Sequence, residues 1–311
     1  MQKVATIVWL LLLTLLGACA SSGPKPVAYS RKHLQQTIAE LSRRPDADSL
    51  AAAGLLLSLG NHGDEPLALL ARATGAAPDR PDLVWLQVQM CLRLPPCQPE
   101  PLSEHLRRLA PTNGAGWLGL LVLGRPDSPD TDAVKEAALL AISQSDRVDI
   151  YWTTLISRLT SAAARPGVMS IREAELSIIG VLSAQDIPTY RVLADVCVRG
   201  QPTPGDNLAT CRGIARALEG GDAYITEMMG IAIARHVWPE NAPEWKAATR
   251  ARAVYEYRSG LMLHLEESRP WDRRVADNYL TLCARYSREQ DVVRARLLDA
   301  GMKADPPVQQ R

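Results

Sequence analysis

Six cysteines and five histidines are the groups in this 311-residue chain best suited to ligating a metal, exchanging disulfides or moving protons. Such chemistry needs convergent groups at recognisable spacing. The chain holds no Gly-x-Ser-x-Gly elbow, no His-Glu-x-x-His, no Cys-x-x-Cys and no phosphate-cradling glycine loop. His33, His62, His105, His236 and His264 lie far apart along it. His264 and Glu267 stand at helical spacing on one face of a long expected helix, and an i, i+3 pair of this kind reads as a surface ion pair rather than an acid/base or metal site. Tyr255, Tyr257, Tyr286 and Trp271 read as packing residues rather than a ligand cage. The sequence therefore predicts no catalytic residue, no metal and no cofactor.

The cysteine with a legible chemistry is Cys19. Met1–Lys3 make a short basic start, and Val4–Leu16 are apolar apart from two threonines. That run falls short of the ~20 residues of a spanning helix and has the form of a signal-peptide core. Leu16-Gly17-Ala18-Cys19 follows it, an apolar residue and two small residues before the cysteine, and resembles the lipobox of bacterial lipoproteins. The resemblance implies removal of residues 1–18 and a diacylglyceryl group on the Cys19 sulfur. An acyl chain on the new amino terminus usually accompanies it. Two or more chains make a stable anchor where one does not. Ala20, in place of a retention-signalling Asp, implies the outer membrane on its periplasmic side. Residues 19–30 then form a Ser, Gly and Pro-containing tether.

Export places the remaining cysteines where disulfides persist. Cys91 and Cys97 flank Leu94-Pro95-Pro96, and Cys197 and Cys211 flank Gln201-Pro202-Thr203-Pro204-Gly205. Each pair is a candidate bridge across a hairpin turn, worth roughly 2–3 kcal/mol by loop closure. Cys283 is left over, as a small buried residue.

The elements that carry these residues read as helices. There is no Phe, the apolar residues are mainly Ala, Leu, Val and Ile, and apolar-periodic runs alternate with short breaks of Pro, Gly, Asn or Asp. Ser49–Leu59 and Pro66–Thr74 make a hairpin across Gly60-Asn61-His62-Gly63-Asp64, with Asp64 as the expected capping acid. Later helices are expected in Ile171–Ala184, Thr189–Arg199, Asn207–Leu218, Ala223–Trp238, Pro243–Glu267, Trp271–Arg285 and Glu289–Lys303. A motif beginning Ala77-Pro78-Asp79-Arg80 and ending in Trp85 recurs in outline from Ala110 to Trp117, and more weakly from Asp146 to Trp152. The spacing of Trp85, Trp117 and Trp152, with Leu50, Gly54, Leu57, Leu70, Ala73 and Pro78, resembles the tetratricopeptide repeat of two antiparallel helices. Pro66, Gln89 and Leu121 depart from that pattern where a small residue is usual. The expected fold is all-α, with helical hairpins stacked as a tetratricopeptide-like α-solenoid. The repeats are expected over residues 31–163 and further hairpins over 164–311; Arg165-Pro166-Gly167 is the candidate boundary, and a single solenoid continuous through it fits the sequence as well.

Charge narrows the function. The chain has 35 basic and 34 acidic residues, and the leader holds one basic residue, Lys3, so the remainder is neutral. A nucleic-acid partner calls for a basic footprint that is missing here. Tetratricopeptide-like lipoproteins generally act as adaptors, so the resemblance implies a periplasmic scaffold held to the membrane by lipid on Cys19 and binding an envelope protein. The alternative is an envelope hydrolase whose site is assembled from side chains distant in sequence.

Overall fold

A computed structural model describes residues 31–60, 63–94, 97–122, 129–165, 169–200, 206–269 and 271–307. The signal peptide, Cys19 and the tether lie outside the described residues, as do Pro166 and Gly167 of the expected boundary. The described chain is all-helical, without a strand; one isolated bridge joins Asn113 to Arg147.

The first hairpins are α1 (Arg31–Ser42) with α2 (Ala47–Leu57), α3 (Glu65–Ala76) with α4 (Pro81–Arg93), and α5 (Pro99–Leu109) with α6 (Ala115–Val122). Then come α7 (Pro129–Ser143), α8 (Trp152–Ala163), α9 (Ile171–Ala194), α10 (Asp206–Glu219) and α11 (Tyr224–Val237). The chain closes with α12 (Pro243–Ser268), α13 (Arg273–Arg285) and α14 (Glu289–Asp299). Pro at the first or second position starts α3, α4, α5 and α12, where its missing N–H costs no intrahelical bond. Asp46 caps α2 by accepting the Ser49 N–H at 2.9 Å, and Asp272 caps α13 through Val275 at 2.9 Å. Asp64 makes no such bond; its backbone is already helical rather than extended as in a capping residue.

Two expected boundaries move. The two helices predicted over 171–184 and 189–199 are one, α9, which runs through Pro188 and passes into a π turn, Asp195–Arg199. Proline inside a helix removes one backbone bond, but Ile178, Val181, Leu182, Tyr190 and Leu193 are all buried along the same helix, and their packing outweighs the loss. α14 stops four residues early. Gly301, at φ +77°, reverses the chain, with Gly301 N–H donating to Leu298 and Met302 N–H to Leu297, the bonds of a glycine-terminated helix.

Packing is not limited to neighbours in sequence. α8 packs on α2 and α13, and α9 on α2, α6 and α13, while α7 packs on α10. Leu155, Ile156 and Leu159 of α8 are almost wholly buried, and one continuous core runs from Ile38 to Val292 across both halves of the chain. Two glycines permit close helix–helix approaches: a Cβ on Gly213 falls 2.4 Å from the Ser143 carbonyl oxygen, and one on Gly230 falls 2.6 Å from the Glu219 nitrogen. The Cys91 and Cys97 sulfurs are 1.90 Å apart and those of Cys197 and Cys211 1.99 Å, so both pairs lie at disulfide distance. Among the described residues no helix is long and apolar enough to cross a membrane.

Candidate functional site

Four connections between helices meet at one buried polar joint. Asn113, at the turn into α6, accepts N–H groups from Ala115 and Asp149 and donates to the Asp149 carbonyl at 2.9 Å and the Tyr151 hydroxyl at 3.0 Å. All its hydrogen-bonding capacity is used, so the segment 147–151 is held against the α5–α6 turn. Tyr151 has a left-handed backbone, φ 60°, unusual for an aromatic residue, and its side chain reaches back to Asn113. From the α10–α11 turn, the Asp222 carboxylate accepts the N–H groups of Ile150 at 2.7 Å and Trp152 at 3.0 Å. It thereby does for the start of α8 what a local capping residue would do. α14 closes the joint: Glu289 accepts the Tyr224 N–H at 2.6 Å, its own N–H donates to the Asp222 carbonyl, and Arg288 donates to the Glu219 carbonyl at 3.3 Å.

Electrostatically the joint is carboxyl-rich. Burial pushes Asp222 up to about 8, the nearby Asp149 adding to the rise and the two backbone N–H groups opposing it. Burial raises Glu289 to about 7, against the pull of the Tyr224 N–H. Asp149, Glu219 and Glu227 are raised by the same cause. Asp222 is only 6% exposed and its partners are backbone amides, so the arrangement fastens helices.

A second buried cluster lies between α9, α13 and α14. Glu175 is fully buried, accepts the Trp271 Nε1–H at 2.8 Å, and is pushed up to about 8 by burial. Arg296 lies 4.2 Å over the Trp271 ring and reaches Glu266 at 3.4 Å. The thiol of Cys283 is buried beside Tyr279 and pushed up to about 12 by burial, which leaves it inert as a nucleophile.

Two clefts that open to solvent share Arg165. The larger, about 740 Å³, lies between the start of α1, the chain entering α9, and the first turns of α13. His33, Arg165, Arg172 and Arg273 line it, with Glu173 and Asp277. Glu173 is occupied in the capping box of α9: it accepts the Ser170 N–H at 3.0 Å and hydroxyl at 2.7 Å, and the hydroxyl holds its carboxyl below the usual range. Asp277 pairs with Arg273 at 3.6 Å. The Nε of Arg172 is buried without a hydrogen-bond partner. The smaller cleft, about 200 Å³, is polar and lined by Asp46, Asp48, Ser157, Arg158 and Ser161. Both are open grooves suited to an extended or surface-bound ligand. Among the described residues no cluster of His, Cys, Asp and Glu has metal-ligating geometry.

The sequence-predicted residues fall as follows. Trp85 is buried in the second turn of α4, Trp117 is half-buried under Arg107 at 4.2 Å, and Trp152 is the first residue of α8. They do not occupy one helical position. In the first and third copies the step before them recurs: Arg80 pairs with Asp82 and Arg147 with Asp149, each Asp three residues ahead of its tryptophan; the middle copy has Thr112 and Gly114 at those places. His264 and Glu267 are both exposed on α12. Sequence reasoning gives Asn113 and Asp222 no role, and the arginines of the larger cleft no binding role: Arg165 enters it only at the candidate boundary. Asp222 follows Gly220-Gly221 and reads as an ordinary turn residue, with no local sign of partners 70 residues away. Comparison with protein-family models, with curated proteins and with solved structures finds no match.

Proposed function

We propose that this chain is a bacterial lipoprotein, cut before Cys19 and held through that residue to the periplasmic side of the outer membrane, where its helical body is a scaffold for another envelope protein. The observation that carries the reading is the order of the first nineteen residues, a basic start, a short apolar run and Leu16-Gly17-Ala18-Cys19. Two cysteine pairs at disulfide distance support an oxidising compartment. The open clefts and the inward, backbone-directed use of the buried carboxyls support binding over catalysis. In this reading residues 31–163 are degenerate tetratricopeptide-like hairpins, curled so that α2 meets α8 and α9, and residues 164–311 continue them.

Incorporation of a labelled fatty acid by the wild type and by Cys19→Ser tests the anchor; label retained in the variant rejects it. Crosslinking in cells, followed by identification of what is captured, tests the scaffold. A body that recovers no specific partner from intact cells counts against it.

A further inference from the structure

α12, at 26 residues the longest helix described, buries only Ala248 and Leu265 and packs mainly on α11 and α14. Its inner face is fixed by contact. Tyr255 stacks on Tyr224 of α11 with ring centroids 4.2 Å apart, Arg258 donates to the Ala304 carbonyl at 3.0 Å, and Met262 packs on the cluster of Val293, Leu297 and Ala304. At about 100° per residue, the opposite face carries a row of heptad spacing, Lys246, Ala253, Gly260 and Glu267, with Arg250 and Tyr257 beside it. All six are exposed except Tyr257, which is half-buried. Nothing lies within 4 Å of the place a Cβ on Gly260 would take. Glycine is the poorest helix former after proline, so a mid-helix glycine that no neighbour in the fold requires marks a place where something outside the fold comes close.

The charge along this face says what comes close. Lys246 stands in the first turn, Arg250 one turn on, and Glu267 in the last turn, which holds no basic residue. That order opposes the helix dipole, which favours acids at the start and bases at the end. Glu244, the acid of the first turn, lies about 160° round the helix from Lys246. Among the described residues Lys246, Arg250 and Glu267 enter no ion pair, Glu267 not even with His264, so the fold leaves these charges uncompensated. The geometry points to this face of α12 as the surface on which two copies of the chain pair, antiparallel, about a twofold axis beside Tyr257. With Ala253 of one copy opposite Gly260 of the other, Lys246 falls opposite Glu267, and symmetry makes each pairing twice. The small residues meet where the two backbones are nearest, and each helix dipole lies beside its opposite. A parallel pair would instead set Lys246 on Lys246 and Glu267 on Glu267. One helix face is a small interface, so the pairing is weak and sensitive to salt. It does not rest on the anchor proposed above.

The test is disulfide trapping in intact cells that make the full chain, oxidised briefly and read on non-reducing gels against the wild type. Ala253→Cys with Gly260→Cys is expected to give a band at twice the mass of the chain. Each new thiol then faces the other in the second copy, whereas within one chain the two stand about 10 Å apart along the helix and cannot bridge. Tyr257→Cys, beside the axis, traps the same dimer. Lys246→Cys, about 30 Å from its counterpart, traps none. Lys246→Glu added to the trapping pair lowers the dimer band at least about threefold, and Glu267→Lys added to that restores it, which a purely structural effect of either change would not do. The trapping positions Ala253 and Gly260 are exposed, and circular dichroism of the purified variants confirms the fold. No dimer band from either the trapping pair or Tyr257→Cys overturns the proposal. So does a band from Lys246→Cys as strong as that from Tyr257→Cys, which means parallel pairing or random collision, and so does a dimer band indifferent to Lys246→Glu. A trapped band at a mass other than twice that of the chain also overturns it, assigning the face to a different protein.

Discussion

Replacing Asp222 tests whether the polar joint governs stability. Its carboxyl accepts the amides of Ile150 and Trp152, and Asp222→Ala leaves both N–H groups buried without a partner. Each orphaned amide costs about 1–3 kcal/mol, so the loss is about 2–6 kcal/mol, a large fraction of a domain's stability. Asp222→Asn keeps one acceptor oxygen and loses roughly half as much. The pH dependence separates this role from simple packing. Asp222 stands at about 8 in the fold, against about 3.9 in an unfolded chain. The native state therefore holds a proton that the unfolded state releases. The resulting stability is complete below about pH 4 and is lost as pH rises towards 8, with a slope near 1.4 kcal/mol per pH unit for one proton. Glu289, at about 7, and Glu175, at about 8, slope the same way. Carboxyls held low, such as Glu173, act only below the ordinary carboxylate range and leave the pH 5–8 window untouched. Urea unfolding followed by circular dichroism at pH 5, 6, 7 and 8 reads this directly. The wild type is expected to weaken steadily over that range, and Asp222→Asn to remove one proton's share of the slope. A wild type that gains stability from pH 5 to pH 8, or an Asn variant with an unchanged slope, would refute the account of the joint.

Other substitutions probe single contacts. Gly213→Ala drives a methyl against the Ser143 carbonyl and is expected to destabilise by several kcal/mol in thermal unfolding; Gly75→Ala, with nothing within 4 Å, should be neutral or gain up to about 1 kcal/mol from helix propensity. Trp271→Phe deprives buried Glu175 of its one side-chain donor and should cost about 1–3 kcal/mol in urea unfolding, more at pH 9 than at pH 6 because the charged carboxylate is the form that needs the bond. Thiol titration of the folded, non-reduced body should leave Cys283 unreactive until denaturant is added, and reductant should lower the unfolding temperature by opening the two bridges.

Most of the helices were legible because their signals are local. Apolar spacing, proline at the first positions of α3, α4, α5 and α12, and the cysteines flanking Pro-rich turns all report on the residues next to them. The break expected between residues 184 and 189 was misplaced because propensity weighs Pro188 heavily, whereas the burial of Tyr190 and Leu193 beyond it depends on helices distant in sequence. The recurrence that ends in tryptophan was visible. Its structural content in the first and third copies, an Arg–Asp pair ahead of the tryptophan, was hidden behind the more conspicuous ring. The larger cleft was out of reach for a similar reason: His33, Arg165 and Arg273 belong to segments up to 240 residues apart, and each alone reads as a solvated charge.

The way the joint is tied also sets the order in which the molecule can be completed. Asp222 reaches back 72 residues to Ile150, and the Ser287 carbonyl accepts the Thr153 hydroxyl across 134. Contacts this distant require the intervening chain to be ordered first, so late closure and slow folding follow from the topology. A chain that emerges amino terminus first can build its early hairpins as they appear. The start of α8 stays without the partner for its amides until the turn before α11 arrives, and without the Ser287 clasp until nearly the whole length is out. A chain truncated before α14 should accordingly collapse into helices yet remain open to proteases, with the Ile150–Trp152 segment among the first places cut.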